Sequence, residues 1–221
     1  MTRLEVLNLL AAQLRARTYL EIGVQTGIVF RSVNVAHRVG VDPDPTSKAT
    51  RHMTSDAFFA DLAEGYPSFP AGPDGRRTAD LIFIDGLHLA EQVSKDASNA
   101  LRHLTPGGAI VFHDCDPPTQ RAQEREMVDV SCWCGDTWRA WVALVDTLAF
   151  TRRAGVDAFT VDADLGLGVV LTSKGLPVPT IKPVEPATMS YEGFKRQRAD
   201  LLRLRSPAWF RGRLSSVEPL R

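Results

Sequence analysis

The sequence predicts an α/β fold: a doubly wound, mostly parallel β-sheet with helices on both faces and an antiparallel hairpin at one edge. Short apolar runs such as Leu81–Ile84 alternate along the chain with stretches of helical periodicity. These runs are apolar at nearly every position, as expected for strands buried on both faces of a parallel sheet. The last two runs, 158–162 and 166–172, are joined by a link too short for a crossover, which predicts the hairpin.

In the first half of the chain, a helix is expected over 4–15, because apolar residues recur at helical spacing behind a cap at Thr2. A strand over 19–22 then enters a glycine-punctuated turn and a helix over 28–35. A short strand ends in VGVDPDP, and RHMTSDAFFADLAEG predicts a brief strand, a cap and a helix. The turn-forming residues of 67–78 predict a surface loop.

In the second half, a strand over 80–84 precedes a helix over 90–104, and TPGG turns the chain into the buried strand AIVF. Helical periodicity returns in DTWRAWVALVDTLAF and in the basic segment SYEGFKRQRADLLRLR, which lies beyond a proline-rich linker at 177–186. We therefore expect one domain at 1–175, including the N-terminal helix, followed by a linker and a basic helical tail at 176–221.

The composition argues against several classes of protein. The 221 residues carry 26 basic and 26 acidic side chains, and this balance disfavours a nucleic-acid partner. No apolar run approaches the ~18 residues of a membrane span, and the three cysteines do not form a disulfide framework. We expect a cytoplasmic protein that binds neither membrane nor nucleic acid. Its N- or C-terminal helices are the surfaces through which a homo-oligomer would form.

The ends of the first two strands predict a nucleoside site, since ligands of open α/β sheets bind beyond the carboxyl ends of the strands. In EIGVQTG, Gly23 permits close approach of a ligand and Gly27 lets the next helix begin against the strand. Asp42, at the second strand end, can accept hydrogen bonds from ribose hydroxyls. The glycines lack the G-x-G-x-x-G spacing of dinucleotide-binding proteins, which disfavours a nicotinamide dehydrogenase.

These motifs resemble those of the class I S-adenosylmethionine-dependent methyltransferases, which have a Rossmann-like fold. LEIGVQTG is similar to their first motif and GVDPDP to the acidic strand end after it. TADLIFIDG and LTPGGAIVFHD are similar to two later strands with the usual Pro-Gly-Gly turn between them, so the resemblance covers about residues 15–115. It implies that Glu21, Gly23 and Gly27 surround the methionine part of S-adenosylmethionine and that Asp42 holds the ribose.

The resemblance also places Ser55 and Asp56, after the short third strand, near the adenine of the cofactor. The same stretch, TSDAFF, is equally typical of an ordinary helix N-cap, and both interpretations stay open. For EIGVQTG the alternative is a strand–turn–helix junction that binds no ligand. The agreement of Asp42 and the later strands with the family favours the ligand-binding interpretation.

Polar residues at two later strand ends predict a reaction centre. Asp85 and His88 follow one strand, and His113 and Asp114 follow the other. If these strands are adjacent, their ends converge at one edge of the sheet. Carboxylates suit Mg²⁺, Mn²⁺ or Ca²⁺, and one imidazole widens the choice toward a transition metal. Such a metal could orient a substrate hydroxyl and lower its pKa, while His88 removes the proton.

This arrangement resembles the metal-dependent small-molecule O-methyltransferases, especially the sugar O-methyltransferases of antibiotic pathways. In that branch, an aspartate after the fourth strand and an acidic pair after the fifth hold the metal, and a histidine three residues beyond the first aspartate is the base. The resemblance implies Asp85 and Asp114 as ligands and His88 as the base. His113 departs from the acidic pair, and the lost charge weakens a Mg²⁺ site. The predicted metal ligands are Asp85, His113 and Asp114, and the predicted catalytic residues are Asp85 and His88.

Simpler roles exist for the same residues. Asp85 and Asp114 can cap turns, whereas His88 and His113 can pack near a helix start or bond a backbone carbonyl. A zinc site is a further alternative, although C-x-C spacing is unusual for one; it would use His113 with Cys115, Cys132 and Cys134. The segment CWCGDTWRAW is expected to form either a substrate wall or helix-facing core, through Trp133, Trp138 and Trp141.

The predicted function is S-adenosylmethionine-dependent methylation of a hydroxyl on a small metabolite, such as a sugar or natural product of secondary metabolism. Mg²⁺ or another divalent metal would assist the transfer. One alternative is a metal-independent methyltransferase acting on an amine or a macromolecule. Another is a non-catalytic protein that binds S-adenosylmethionine.

Overall fold

The computed structural model describes residues 1–65, 68–70, 75, 77–127, 132–149 and 155–220. The strands are β1 (Thr18–Ile22), β2 (His37–Val41), β3 (Ala79–Ile84), β4 (Leu104–Phe112), β5 (Val156–Val161), β6 (Leu167–Thr172) and β7 (Leu204–Arg205). The α-helices are α1 (Arg3–Leu14), α2 (Ile28–Ser32), α3 (Ser55–Ala63), α4 (Ala90–Arg102), α5 (Thr137–Ala149), α6 (Tyr191–Leu201) and α7 (Pro207–Leu214). A short 3₁₀ turn covers Arg121–Gln123.

The sheet confirms the predicted fold class. Its seven strands have the order β2-β1-β3-β4-β6-β5-β7. The first four strands pair in parallel, and β6 is antiparallel to both β4 and β5, which gives the predicted hairpin. From β1 the chain moves outward to β2 and then returns to the opposite side of β1 to form β3. Such a reversal leaves a crevice at the carboxyl ends of the two inner strands.

Hydrophobic cores cover both faces of the sheet. Successive residues of a strand point to opposite faces, and in β3 Leu81 joins one core while Ile82 joins the other. Side chains of α3, α4, α5 and α6 fill one core, and those of α1, α2 and α7 fill the other. All six residues of β3 are buried, as the apolar run predicts. No helix in the described part of the chain is long and apolar enough to cross a membrane.

Several predicted elements differ in extent, among them the strand predicted as AIVF, which begins already at Leu104. The strand expected near Arg51 is reduced to an isolated parallel bridge with Val41. The helix expected over 28–35 ends at Ser32, because Val33 takes an extended conformation at ψ 126°. The last predicted helix, α6, ends at Leu201, where Arg203 turns the chain with a φ of 49°, and the unpredicted α7 follows it. Within the predicted loop 67–78, residues 67, 71–74 and 76 lie outside the described part of the chain.

The C-terminal segment continues the sheet and both cores. β7 pairs in parallel with β5, a strand that periodicity did not indicate because it has only two residues. The predicted proline-rich linker runs along α4, where the hydroxyls of Ser94 and Ser98 donate to the carbonyls of Val184 (2.8 Å) and Ile181 (2.7 Å). The described residues of the tail therefore pack on the same sheet as the N-terminal helix.

Candidate functional site

A cleft of about 460 Å³ opens at the carboxyl ends of β1, β2 and β3. Its lining includes four of the predicted cofactor residues, namely Gly23, Asp42, Ser55 and Asp56, and also the predicted metal ligand Asp85. The cleft lies at the reversal of strand order, and its volume is in the range of small-molecule sites. The structure thus brings these five residues to one cavity.

Gly23 lies where the ends of three strands meet. Its N–H donates to the carbonyl of Val41 in β2 (2.9 Å), and its φ is +86°. A Cβ at this position would overlap the main-chain carbonyl oxygen of Asp85 beyond β3. Glycine is therefore required by the close approach of two protein strands, in addition to any approach of a ligand.

Asp42 links β2 to the glycine turn. Its Oδ2 accepts the N–H groups of Val24 and Gln25, both at 2.9 Å, and its Oδ1 accepts that of Asp44 at 2.9 Å. A carboxylate offers about four acceptor positions, so this one retains capacity for a further donor in the cleft. The bound backbone amides also fix its orientation.

Glu21 and Gly27 do not line the cleft. Glu21 is 2% exposed and accepts a 2.5 Å hydrogen bond from the hydroxyl of Tyr19. Burial raises the pKa of Glu21 to about 8, against the lowering effect of that hydrogen bond. Gly27 precedes α2 with a left-handed φ of 71°. Contact of either residue with a cofactor stays a prediction.

The helix cap and the cleft residues of α3 are distinct. Thr54 caps the helix by accepting the N–H of Ala57 (3.2 Å), so neither Ser55 nor Asp56 is the cap. Ser55 and Asp56 both accept from the side-chain amide of Gln92, at 3.2 and 3.0 Å, and face the cleft. Their proposed contact with adenine also stays a prediction.

A second group of side chains borders the cleft at Asp85. One ligand atom each of Asp85, His113 and Asp114 lies within 4.8 Å of the others. In the described part of the chain, this is the one group of three such residues that could hold a metal ion. His113 Nδ1 is 2.8 Å from Asp114 Oδ2 and 3.4 Å from Asp85 Oδ1. The predicted convergence of β3 and β4 therefore occurs.

His88 lies beside the same two carboxylates. Its Nε2 is 3.4 Å from Asp85 Oδ1 and 3.3 Å from Asp114 Oδ2, and its side chain is 18% exposed. Trp133 stacks on the imidazole, with 4.9 Å between ring centroids and 22° between planes. Trp138 and Trp141 are fully buried, as in the core interpretation. Only Trp133 of the three tryptophans faces the reaction centre.

Sequence reasoning missed Arg3 and Asp164. Arg3, at the start of α1, pairs with Asp85 Oδ2 at 2.9 Å and with both carboxylate oxygens of Asp164, at 3.1 and 3.2 Å. Asp164, in the β5–β6 turn, is 3.4 Å from His113 Nε2. Arg3 lies 82 residues from Asp85 in sequence and belongs to no recognisable motif. The only local signal at Asp164 is its place in the short ADL turn, since aspartate tolerates the left-handed backbone of such turns.

The charges at this centre shift one another's pKa values. Burial alone would raise the pKa of Asp85, yet His113, His88 and Arg3 hold it well below its usual range. Burial opposes the protonation of both imidazoles, but the surrounding carboxylates raise the pKa of His88 and, more strongly, that of His113. The centre therefore favours a positive charge between its carboxylates.

The residues at this centre fit a divalent cation. Among the described residues, Asp114 Oδ1 and His113 Nδ1 are buried and make no contact with hydrogen-bond geometry, although Nδ1 lies 2.8 Å from Asp114 Oδ2; buried polar atoms normally have a hydrogen-bond partner. With neutral imidazoles, the carboxylates of Asp85, Asp114 and Asp164 exceed the single guanidinium of Arg3 by two charges. Two carboxylates with one imidazole suit Mn²⁺ or a later transition metal better than Mg²⁺.

The cysteines are not members of this metal group, although the thiol of Cys134 interacts with the carboxylate of Asp114, which together with burial raises the pKa of that thiol. The candidate metal group contains no cysteine. Cys115 is fully buried, and its thiol approaches the carbonyls of Phe112 and His113 at 3.8 and 3.6 Å. The thiol of Cys134 approaches the carbonyl of Cys132 at 3.6 Å. These contacts are those of packed thiols, and the structure does not assemble the alternative zinc site.

Comparisons with known proteins find one similar family model and solved structures with the same fold. Residues 20–115 match a family model described as "Methyltransferase domain". A search of curated proteins found no match. An O-methyltransferase from Bacillus cereus, solved in complex with SAH, is 15% identical over 78% of this chain and 82% of its own, with a TM-score of 0.53. The O-methyltransferase TomG from Streptomyces achromogenes is 17% identical over 77% of this chain and 79% of its own, with a TM-score of 0.48.

Proposed function

We propose that this chain, whose residues 20–115 match a methyltransferase-domain model and whose sheet has the class I methyltransferase fold, methylates a hydroxyl of a small metabolite. The donor would be S-adenosylmethionine, and a divalent metal would assist. One observation carries the proposal: Asp85 lines the nucleoside-sized cleft and also belongs to the cluster with His88, His113 and Asp114. A donor bound in the cleft would hold its methyl group beside a base and a cation site.

The cleft supports a nucleoside cofactor in several ways. Asp42 has acceptor capacity for ribose hydroxyls and is held by three backbone amides. Ser55 and Asp56 lie at the N-terminus of α3, on the same wall. Leu87 is 55% exposed on the lining and offers apolar surface to a ligand. These features suit a ribose, a polar base edge and an aliphatic chain.

The transfer would be an in-line displacement. The acceptor oxygen forms a bond to the methyl carbon as the carbon–sulfur bond breaks, and S-adenosylhomocysteine leaves with the electron pair. His88 would accept the hydroxyl proton at Nε2, the ring nitrogen that lies 3.4 Å from Asp85 and 3.3 Å from Asp114, and these two carboxylates stabilise the resulting imidazolium. Asp85, His113 and Asp114 would hold the metal, which when bound orients the hydroxyl and lowers its pKa. Trp133, stacked on His88, holds the base in place.

The test of this function is methyl transfer from labelled S-adenosylmethionine to a panel of sugars, phenols, amines, protein and RNA, with and without a chelator. Transfer to hydroxyl acceptors that stops with chelator and returns with Mn²⁺ or Mg²⁺ supports the proposal. Chelator-insensitive transfer favours the metal-independent alternative. Cofactor binding without transfer to any acceptor, protein and RNA included, favours a non-catalytic role.

His88→Ala should lower the transfer rate by about 10²–10⁴-fold, the usual contribution of a positioned base. Its affinity for S-adenosylmethionine, measured by calorimetry, should stay within twofold, because His88 is outside the cleft lining. His37→Ala is the matched control, since His37 is exposed at the opposite end of the sheet, where β2 begins. Equal rates for His88→Ala and wild type would remove His88 as the base.

A further inference from the structure

We propose that Arg3 and Asp164 are a positioning pair that orients Asp85 and His113 for metal binding, which makes the N-terminal helix and the β5–β6 turn parts of the reaction centre. The inference rests on the proposed function in that it assigns the metal to that site. It adds two residues, from distant parts of the chain, that no motif indicates. Neither residue would contact the metal itself.

Arg3 determines which oxygen of Asp85 faces the centre. Its Nε and one terminal nitrogen bind the two carboxylate oxygens of Asp164, at 3.2 and 3.1 Å, and its main-chain N–H donates to the same carboxylate at 2.6 Å. This bidentate contact fixes the plane of the guanidinium. The remaining terminal nitrogen then donates to Asp85 Oδ2 at 2.9 Å. Asp85 Oδ1 is left pointing at His88 and His113.

Asp164 determines the orientation of the His113 ring. His113 Nε2 is 3.4 Å from Asp164 Oδ1, on the side of the ring away from Asp85 and Asp114. A carboxylate that accepts the outer N–H of a ligating histidine fixes its ring and tautomer, which directs the lone pair of the other nitrogen at the metal. His113 Nδ1 occupies that position and is buried, and its 2.8 Å approach to Asp114 Oδ2 does not have the geometry of a hydrogen bond.

The backbone of the β5–β6 turn supports the same role. Asp164, Leu165 and Gly166 all have left-handed φ values, of 46°, 61° and 81°. Such conformations are unfavourable for residues other than glycine and persist where surrounding contacts enforce them. Here the carbonyls of Leu165 and Gly166 accept the N–H groups of Asp116 (2.8 Å) and Cys115 (3.1 Å). The turn is thus fastened to the segment that follows the ligands His113 and Asp114.

The test compares Asp164→Ala and Asp164→Asn with the control Asp162→Ala. Asp162 belongs to the same hairpin but is exposed and pairs with Arg198. We expect Asp164→Ala to weaken Mn²⁺ binding, followed by the electron paramagnetic resonance signal of free Mn²⁺, by about 10- to 100-fold. Asp164→Asn keeps an acceptor oxygen and should recover most of that loss. Asp162→Ala should bind as wild type does, and affinity for S-adenosylmethionine should be unchanged throughout.

Arg3 is tested in the same assay. Arg3→Ala should weaken Mn²⁺ binding about tenfold or more, and Arg3→Lys should not restore it, because an ammonium cannot bridge two carboxylates as a planar fork does. Arg17→Ala, an exposed arginine before β1, is the control. Mn²⁺ affinities within twofold of wild type in both Arg3→Ala and Asp164→Ala would overturn the proposal.

A readout without metal separates this proposal from the proposed function. The Nε2–H of His113, observed by ¹⁵N-edited NMR of histidine-labelled protein, should be protected from exchange in wild type and in Asp162→Ala. It should be lost in Asp164→Ala. A wild-type protein that binds no Mn²⁺ would remove the metal from the proposed function, and loss of this signal in Asp164→Ala would still support Asp164 as the residue that orients His113. A signal that is unchanged in Asp164→Ala would overturn the positioning role.

Discussion

Gly23 has a φ of +86°, and a Cβ at this position would overlap the main-chain carbonyl oxygen of Asp85. Two requirements, one conformational and one steric, therefore select glycine at this position. The second requirement also links the cleft to the reaction centre, because it sets the distance between the ends of β1 and β3. A residue that was predicted to admit a ligand also determines where Asp85 lies.

Gly23→Ala should lower the free energy of unfolding by about 2 kcal/mol or more, since it combines a left-handed alanine with a steric overlap. Denaturation in urea measures this change. Gly212→Ala is the control, because Gly212 lies in α7 with open space where a Cβ would point, and the substitution should stabilise the protein by about 0.5–1 kcal/mol. Equal unfolding midpoints for wild type and Gly23→Ala would contradict the steric argument.

Glu21 gives the protein a pH-dependent stability. Its carboxyl ionises near pH 4.5 in the unfolded chain, whereas burial raises its pKa to about 8 in the folded protein. The folded state therefore holds the proton more tightly between these values, and stability falls as pH rises through that window, by up to about 1.4 kcal/mol per pH unit. Below pH 4.5 Glu21 is protonated in both states, and above pH 8 it is ionised in both. Outside this window, its contribution to the free energy of unfolding does not change with pH.

Glu21→Gln removes this titration and keeps the shape of the side chain. Its free energy of unfolding relative to wild type should increase steadily between about pH 5 and pH 8. Urea denaturation at four or five pH values measures the difference. A constant difference over that range would show that Glu21 is ionised in the folded protein and that burial does not raise its pKa.

Among the elements, α6 connects the tail to the rest of the molecule. Phe194 is fully buried and stacks on Trp138 of α5, with 4.2 Å between the ring centroids. Arg198, one turn later, pairs with Asp116 beyond β4 and with Asp162 after β5. One face of the helix packs on the core, whereas Arg196 and Gln197 on another face are exposed to solvent.

Phe194→Ala should destabilise the protein by about 3–5 kcal/mol, as expected for a fully buried aromatic residue. Gln197→Ala, on the exposed face of α6, should change stability by no more than about 0.5 kcal/mol. Tryptophan fluorescence and far-UV circular dichroism should follow one shared transition, because the tail and the sheet have a common core. Two separated transitions would show instead that α6 unfolds independently of the sheet.

In the whole molecule, the strand order brings two chemical sites to one edge of the sheet. The reversal beside β1 opens the cleft, and the adjacency of β3 and β4 joins Asp85 to His113 and Asp114. Arg3 then connects the first helix to the last hairpin across this edge. This cluster of charged side chains is therefore assembled from the beginning, the middle and the C-terminal third of the chain.

The alternating apolar runs and helical periods were enough to predict the α/β fold, because buried strands and amphipathic helices carry their signal within a few residues. The meeting of Asp85, His88, His113 and Asp114 was also predictable, since parallel neighbouring strands end at the same edge. The family motif also predicted that Glu21 and Gly27 surround the cofactor, but neither residue belongs to the lining of the cleft.

Other features depended on the tertiary structure alone. β7 is too short to show a period, and the sequence does not distinguish the half-buried Trp133 from the fully buried Trp138 and Trp141 of the same segment. Arg3 and Asp164 are separated by 161 residues and meet because α1 and the β5–β6 turn dock at one edge. Local sequence determines where each strand ends and which polar residue stands there. Long-range packing determines which charges become neighbours, because that depends on the path of the whole chain.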